Sequence, residues 1–175
     1  MATRQPKPRP QPVTDAAHIF IACDGINQLL VQHLDPALWS AKPPGNVRTI
    51  AAIFTHIHNV RCKWIRLSAP QLKPPPQLSR ATCTPRQATA ALANSAALCA
   101  QMLSSNLKHF HRDALAKHWL PGQEMLCYML THEAHHRGQV CMLAHQLCSP
   151  LPGKLTSEMW NWEKLWKASG LSLTA

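Results

Sequence analysis

Two histidines on one predicted helix face are the residues whose type and spacing most clearly indicate chemistry. The segment THEAHHRGQV holds His132, His135 and His136 within about one and a half helical turns. Positions four apart share a helix face, so His132 and His136 point the same way, whereas His135 points about a hundred degrees away and is a poorer candidate. The same face carries Met125, Met129, Val140, Leu143 and Leu147. The pair is therefore predicted to face the interior, where two imidazoles can chelate one metal ion.

A third ligand must come from another element, and the segment THIHN offers two histidines. His56 lies near the side of its predicted helix that carries Ala52, Ile53 and Val60. His58 is rotated by about two hundred degrees from His56 and is expected nearer solvent. We select His56. Three neutral imidazoles leave at least one coordination position open for water or substrate, as in catalytic rather than structural zinc sites.

The chemistry of such a site is left open by the residues themselves. A bound ion lowers the pKa of water and generates hydroxide, or lowers the pKa of a bound low-molecular-weight thiol and presents its thiolate. Glu133 follows His132 directly, and HEAHH also satisfies the His-Glu-x-x-His pattern of zinc metalloproteases, in which the glutamate is a general base. We favour a solvated or interfacial ion pair between Glu133 and Arg137. Arg137 and Gln139 could orient a substrate carboxylate or support the protein interior, and Gly138 is expected to allow close helix contact.

The helices that must position these residues can be read from apolar periodicity. Thr14 and Asp15 are predicted to cap helix 1, AAHIFIACDGINQLLVQHL, which ends at Asp35-Pro36. Helix 2 is predicted within VRTIAAIFTHIHNVRCKWIRL and stops at 68–70. The proline-rich stretch QLKPPPQLSRATC is predicted to be a long crossover.

The second half of the chain repeats the helical pattern. Helix 3 is predicted from about Pro85 to Leu107 and helix 4 from about Gln123 to Leu147, while HFHRDALAKHWLPG between them is ambiguous. SEMWNWEKLW is a candidate terminal helix that lays a tryptophan on the body. Alternation of period two is absent, so no strand is predicted. Four helices with one long crossover predict an all-α four-helix bundle.

Length and composition favour one globular domain. The 175 residues include 46% hydrophobic and 15% charged residues, and we expect a flexible basic, proline-rich tail at 1–13 and a single domain at 14–175. The net charge of +10 attracts polyanions, but the basic residues are thinly spread and do not alternate with aromatic residues. A nucleic-acid partner is therefore disfavoured. With no signal-like segment and no apolar run long enough to span a bilayer, we expect a cytoplasmic protein without a membrane partner.

The cysteine pattern argues against two common uses of thiols. Seven cysteines without any Cys-x-x-Cys pair disfavour a disulfide framework and a thiolate zinc knuckle. Several fall among apolar residues at helical spacing, which predicts small core side chains rather than ligands or nucleophiles. They are Cys23, Cys62, Cys83, Cys99, Cys127, Cys141 and Cys148.

Two segments together resemble the DinB-like (damage-inducible, YfiT-like) metalloprotein superfamily. TIAAIFTHIHNVRCKWI places His56 eight residues before Trp64, as the family's helix 2 histidine precedes an aromatic residue. HEAHHRGQV matches the family's His-x-x-x-His-Arg-Gly-Gln motif at His132 and His136, with Val140 after Gln139. The tryptophan-rich ending WNWEKLW extends the resemblance over nearly the whole chain beyond the tail.

The resemblance implies an up-down-down-up four-helix bundle, usually a homodimer, that binds zinc, nickel or a similar divalent ion through the three histidines. It also implies a metal-dependent enzyme, a thiol-dependent transferase or hydrolase acting on a small-molecule substrate, with catalytic and cofactor-binding residues not identified. The alternative is a non-catalytic metal-binding or stress-response protein. In a third interpretation, the histidines are ordinary core or surface residues.

Overall fold

Helices are the only regular secondary structure in the residues that the computed structural model describes, 12–43, 45–104 and 123–170. The predicted all-α class is therefore confirmed for this part of the chain. A 3-10 turn, Pro36–Leu38, follows the first helix. The helices are α1 Pro12–His33, α2 Ile50–Ser68, α3 Pro85–Ser104, α4 Gln123–Gln146, α5 Gly153–Met159 and α6 Trp162–Ser169. None of the helices in the described ranges is long and apolar enough to cross a membrane.

Side-chain caps explain where α2 and α3 begin. The hydroxyl of Thr49 accepts a hydrogen bond from the Ala52 amide at 3.1 Å. Thr84 and Gln87 form a reciprocal capping box, in which the Gln87 side chain accepts from the Thr84 amide at 2.9 Å and the Thr84 hydroxyl accepts from the Gln87 amide at 3.3 Å. Each cap pairs backbone amides that have no partner inside the helix.

Some predicted boundaries differ from the structure or lie outside it. Helix α1 starts at Pro12, two residues before the predicted cap at Thr14, because proline is well tolerated in a first helical turn. The tail prediction for 1–11, the predicted end of α3 at 105–107 and the ambiguous segment lie outside the described residues. The predicted terminal helix is two short helices, α5 and α6, separated at Trp160 and Asn161.

Helices α1 and α2 each pack against both α3 and α4, while α5 and α6 pack against α1. Leu165 of α6 joins Ala22 and Ile26 of α1 in a small buried cluster, with Trp162 and Trp166 at its edge. Trp160, by contrast, is 74% exposed. The terminal segment therefore covers one face of α1 through Trp162 and Trp166, as predicted for at least one tryptophan.

The crossover at 69–84 is fastened to α2 by polar side chains. Asn59 donates to the carbonyl of Leu78 at 3.0 Å and accepts from its amide at 2.9 Å. His58 Nε2 lies 3.0 Å from the carbonyl oxygen of Pro76, and His58 is fully buried. The prediction that His58 lies near solvent is therefore wrong. The crossover covers this side of α2, and its prolines offer carbonyl acceptors without amide donors, so donors must come from the helix.

Two further predictions concern small residues. A side chain added at Gly138 would meet nothing within 4 Å, so the expected close helix contact at Gly138 is wrong. All seven cysteines lie within the described residues and are free thiols. The prediction of core positions is confirmed for the four that are buried, Cys23, Cys62, Cys83 and Cys99.

A buried ionic cluster joins the four long helices. Arg61 of α2 donates from Nε and Nη2 to the two carboxylate oxygens of Glu133 in α4, each at 2.7 Å. Its Nη2 also donates to Asp24 of α1 at 2.7 Å, and its Nη1 donates to the carbonyl of Leu92 in α3 at 3.0 Å. Asn27 of α1 adds a 2.8 Å bond to Glu133. Each of the three guanidinium nitrogens therefore donates to an acceptor, as a buried charge requires.

The cluster overturns our prediction for Glu133 and Arg137. Glu133 is only 2% exposed, and the closest Arg137 nitrogen is 4.0 Å from its carboxylate, farther than either Arg61 nitrogen. The expected solvated pair within α4 is therefore a weak contact at the edge of a buried pair between helices. Glu133 pairs with Arg61 rather than with Arg137 because two short bidentate bonds are stronger and better oriented than one distant contact.

We expect Arg61→Met to lower the free energy of unfolding by about 3–5 kcal/mol, because two carboxylates remain buried without their cation. Urea denaturation at neutral pH measures this change. The control is Lys164→Met, which removes the exposed Lys164–Glu158 pair and should produce little measurable change. Equal effects of the two substitutions would contradict the importance assigned to burial.

Candidate metal centre

Three histidines from two helices converge on one point. His56 of α2 and His132 and His136 of α4 each offer a ring nitrogen, and these nitrogens all lie within 4.8 Å of one another. His132 Nε2 is 3.3 Å from His56 Nε2 and 3.2 Å from His136 Nε2. The structure thus brings together the three histidines selected from the sequence. His135 is exposed and is not part of this group.

These spacings fit the donor set of a small divalent ion. Two nitrogens bound to one tetrahedral zinc ion at ~2.0–2.1 Å lie about 3.3 Å apart, close to both separations at His132. Mutual hydrogen bonding is a poorer account of the group, since a single proton on His132 Nε2 can bridge to only one neighbouring nitrogen. A shared cation would pair all three lone pairs at once.

Gln139 sets the proton position on one of the three rings. Its side-chain oxygen lies 2.7 Å from His136 Nδ1. Because that oxygen can only accept, Nδ1 of His136 must donate, and the lone pair of the neutral ring is then on Nε2. Nε2 is the atom that faces His132. This outer hydrogen bond resembles those that orient histidine ligands in metal sites.

All three imidazoles are held in their neutral form. Burial, followed by the neighbouring charge at His136, lowers the pKa of His56 and of His132 to about 4. Burial also lowers the pKa of His136, although its hydrogen bond with Gln139 acts in the opposite direction. Near pH 7 each ring therefore has a lone pair available for a cation.

Two surface depressions flank the cluster along α4. One, with a volume of about 620 Å³, is lined by His132 itself together with Tyr128, Cys127 and His135. The other, of about 310 Å³, is lined by Gln139, which contacts His136, and by Arg48 in the segment before α2. A small molecule in the larger depression would lie beside His132, whereas one in the smaller depression would lie beside Gln139, the hydrogen-bond partner of His136.

Comparison with known families agrees with this geometry. The DinB family model matches residues 14–161. The chain belongs to the DinB family. The match begins two residues inside α1, includes α2 to α5 and the three clustered histidines, and ends before α6. No curated protein and no solved structure gives a significant match to the chain.

In this DinB-family chain, Glu133 is poorly placed for the general-base role that the His-Glu-x-x-His pattern suggests. Burial alone would raise the pKa of Glu133, but the charge and hydrogen bonds of Arg61 hold it below its ordinary value. Both carboxylate oxygens are bound by Arg61. Glu133 therefore anchors α4 beside His132 rather than facing the three histidines' common point.

Sequence reasoning missed Arg61 and Arg48. A signal for Arg61 was present, because it continues the apolar stripe of α2 from Ile57 to Ile65 at four-residue intervals. A charged residue on such a stripe indicates a buried ion pair. Arg48 gave no comparable signal, since it lies in an irregular segment, and its position beside Gln139 depends on packing between distant parts of the chain.

The pKa values of the histidines predict a pH-dependent stability of the metal-free protein. Unfolded imidazoles have a pKa near about 6.5, so between about pH 6.5 and 4 the unfolded chain binds more protons than the folded one. The free energy of unfolding should therefore fall as the pH falls through this window. The variant H56Q/H132Q/H136Q should lose less stability over the same window.

Urea denaturation in the presence of a chelator, at several pH values between about 4 and 7, measures both proteins. Buried His58 remains in both, so its contribution cancels in the comparison. An identical pH dependence of the two proteins would contradict the assigned burial of the three imidazoles.

Proposed function

We propose that this DinB-family protein binds one divalent metal ion through His56, His132 and His136. We further propose that it is an enzyme that uses this ion to act on a small molecule. The observation that carries the proposal is the convergence of three histidine ring nitrogens within 4.8 Å. Zinc and nickel are the favoured ions, because both are suited to imidazole ligands. Three protein ligands leave coordination positions for exogenous groups, which is typical of catalytic sites.

The surroundings of the cluster favour an enzyme over a protein whose ion is purely structural. His132 lines the larger depression directly, and Gln139 joins His136 to the smaller one. A ligand in the larger depression would lie next to His132 and would have access to an ion held there. Structural zinc sites, by contrast, are usually closed by four protein ligands.

The reaction class that we propose is thiol-dependent transfer or hydrolysis. A bound divalent ion supplies Lewis acidity, which lowers the pKa of a coordinated water molecule or low-molecular-weight thiol. The protein's own part is to orient the groups that hold the ion. Gln139 holds the ring of His136, while Arg61 and Glu133 fix α2 and α4 at the site. The ligands are thereby preorganised, with little rearrangement needed on binding.

We also propose the up-down-down-up four-helix arrangement for α1 to α4. It is supported by the packing of α1 and α2 against both α3 and α4, and by the long crossover at 69–84, which allows α2 and α3 to run in the same direction. Assembly as a homodimer stays a prediction from the family resemblance.

Metal content tests the proposal directly. After gentle purification, the wild-type protein should contain about one divalent ion per chain, and the variant H56A/H132A/H136A should contain almost none, because all three ligands are removed. Inductively coupled plasma mass spectrometry gives both values and identifies the metal.

The matched control is His135→Ala, which removes an exposed histidine of the same helix next to His136. This variant should keep the wild-type metal content. A stoichiometric ion in the triple variant would show that the site is wrong. Equal loss in His135→Ala would show that the ligand assignment is wrong.

We further expect Gln139→Leu to weaken metal affinity by about 10–100-fold, because it removes the acceptor that orients His136. Competition with a chromogenic chelator measures the affinity. Gln146→Leu, an exposed change near the end of the same helix, is the control and should leave affinity unchanged. Unchanged affinity in Gln139→Leu would contradict a supporting role for Gln139.

A further inference from the structure

The charges around the proposed metal site are strongly unbalanced. All three histidines are neutral ligands, so none of them offsets the double positive charge of a divalent ion. The nearest buried carboxylates, Glu133 and Asp24, are both bound by Arg61 and are already paired. The site as a whole is therefore expected to attract an anion.

Arg48 adds a positive charge at the rim. It lines the smaller depression together with Gln139, whose side-chain oxygen lies 2.7 Å from His136 Nδ1, so its charge lies at the edge of the histidine cluster. Arg48 is exposed and forms no ion pair with any carboxylate in the described ranges. Its guanidinium is therefore available to a ligand.

The depression beside Arg48 also has apolar walls. Val47 and Met142, which line it, are 54% and 59% exposed. In the part of the chain that the structure describes, only Trp160 joins them as a large hydrophobic residue with such exposure. Exposed apolar side chains gathered at one depression mark a binding surface more strongly than scattered ones. Arg48 and Gln139 provide polar groups at the same place.

We infer that this depression binds a small organic anion, a carboxylate with a short apolar chain or ring, as the substrate class of the proposed enzyme. Its anionic group would lie towards Arg48 and Gln139, the hydrogen-bond partner of His136, and its apolar part between Val47 and Met142. The volume of about 310 Å³ lies at the lower end of the ~300–1,000 Å³ usual for small-molecule sites. The inference rests on the proposed function for the presence of the ion. The positive charge at the rim of the depression is that of Arg48.

Octanoate is the probe for this inference, and octanamide is its uncharged counterpart of similar size. Isothermal titration of the metal-loaded protein at low ionic strength should give saturable binding of octanoate and much weaker binding of octanamide. Arg48→Gln should raise the Kd for octanoate roughly tenfold, because it removes a charge-assisted hydrogen bond. Met142→Gln should weaken octanoate more than acetate, because acetate has no chain to contact the apolar wall.

The matched control for Arg48 is Arg66→Gln, which changes an exposed arginine roughly 24 Å from the start of α2, whereas Arg48 lies just before that start. It should change the Kd by less than about twofold, since salt screens distant surface charges. Equal binding of octanoate and octanamide, no binding of octanoate, or equal effects of Arg48→Gln and Arg66→Gln would each overturn the inference.

Metal analysis of the same samples separates the two proposals. A loaded protein that fails to prefer octanoate refutes the substrate class and leaves the metal site intact. A protein that takes up no metal refutes the proposed function, and titration of that metal-free protein with octanoate then tests the Arg48 rim by itself. Binding lost on metal removal but unchanged by Arg48→Gln would overturn the role given to Arg48.

Discussion

The guanidinium of Arg61 lies 1% exposed at the centre of the packed helices, where an unpaired charge would be costly. Its partners come from different helices: the carboxylates of Asp24 and Glu133 and the carbonyl of Leu92. Each bond restricts the rotation and the axial position of the helix that supplies it. A packing of apolar residues alone tolerates small slips between helices more readily than such directional, charged contacts do.

This restriction extends to the three histidines because of their positions in the chain. Glu133 directly follows His132 in α4, and Arg61 lies five residues after His56 in α2. Fixing Arg61 against Glu133 therefore fixes the two helices next to the histidine cluster. The 3.2 Å and 3.3 Å separations at His132 depend on this alignment. The buried pairing of Arg61 with Glu133 and the spacing of the three histidines therefore depend on the same alignment of α2 and α4.

The features that could be predicted from the sequence depend on short-range periodicity. Pairing of His132 with His136 follows from four-residue spacing, and the limits of α4 from an uninterrupted helical pattern. The selection of His56 rests mostly on the DinB resemblance, because it lies on a different helix from the His132–His136 pair and no four-residue spacing links it to them. The errors at His58 and Glu133 have a common cause. Both residues have polar side chains, which the sequence alone places near solvent. In the structure, each is buried against a segment that is distant in sequence.

The prolines of the crossover illustrate the same limit. Their number predicted a connection without regular structure, but nothing local indicated that it would cover α2. Its carbonyl at Pro76 is matched to His58, and the backbone of Leu78 to Asn59. Such matching is a property of the folded chain, because each group alone could be satisfied by water.

The docking of α6 on α1 joins the last described helix to the first. The side chain of Leu165 lies 3.0 Å from where a side chain at Gly25 would begin, and His18 contacts the carbonyl of Ser169 at 2.6 Å. During synthesis on the ribosome, α1 emerges well before residues 162–169 exist. The apolar face of α1 around Ile26 therefore stays uncovered for most of translation, and the nascent chain must remain soluble with that face open to water.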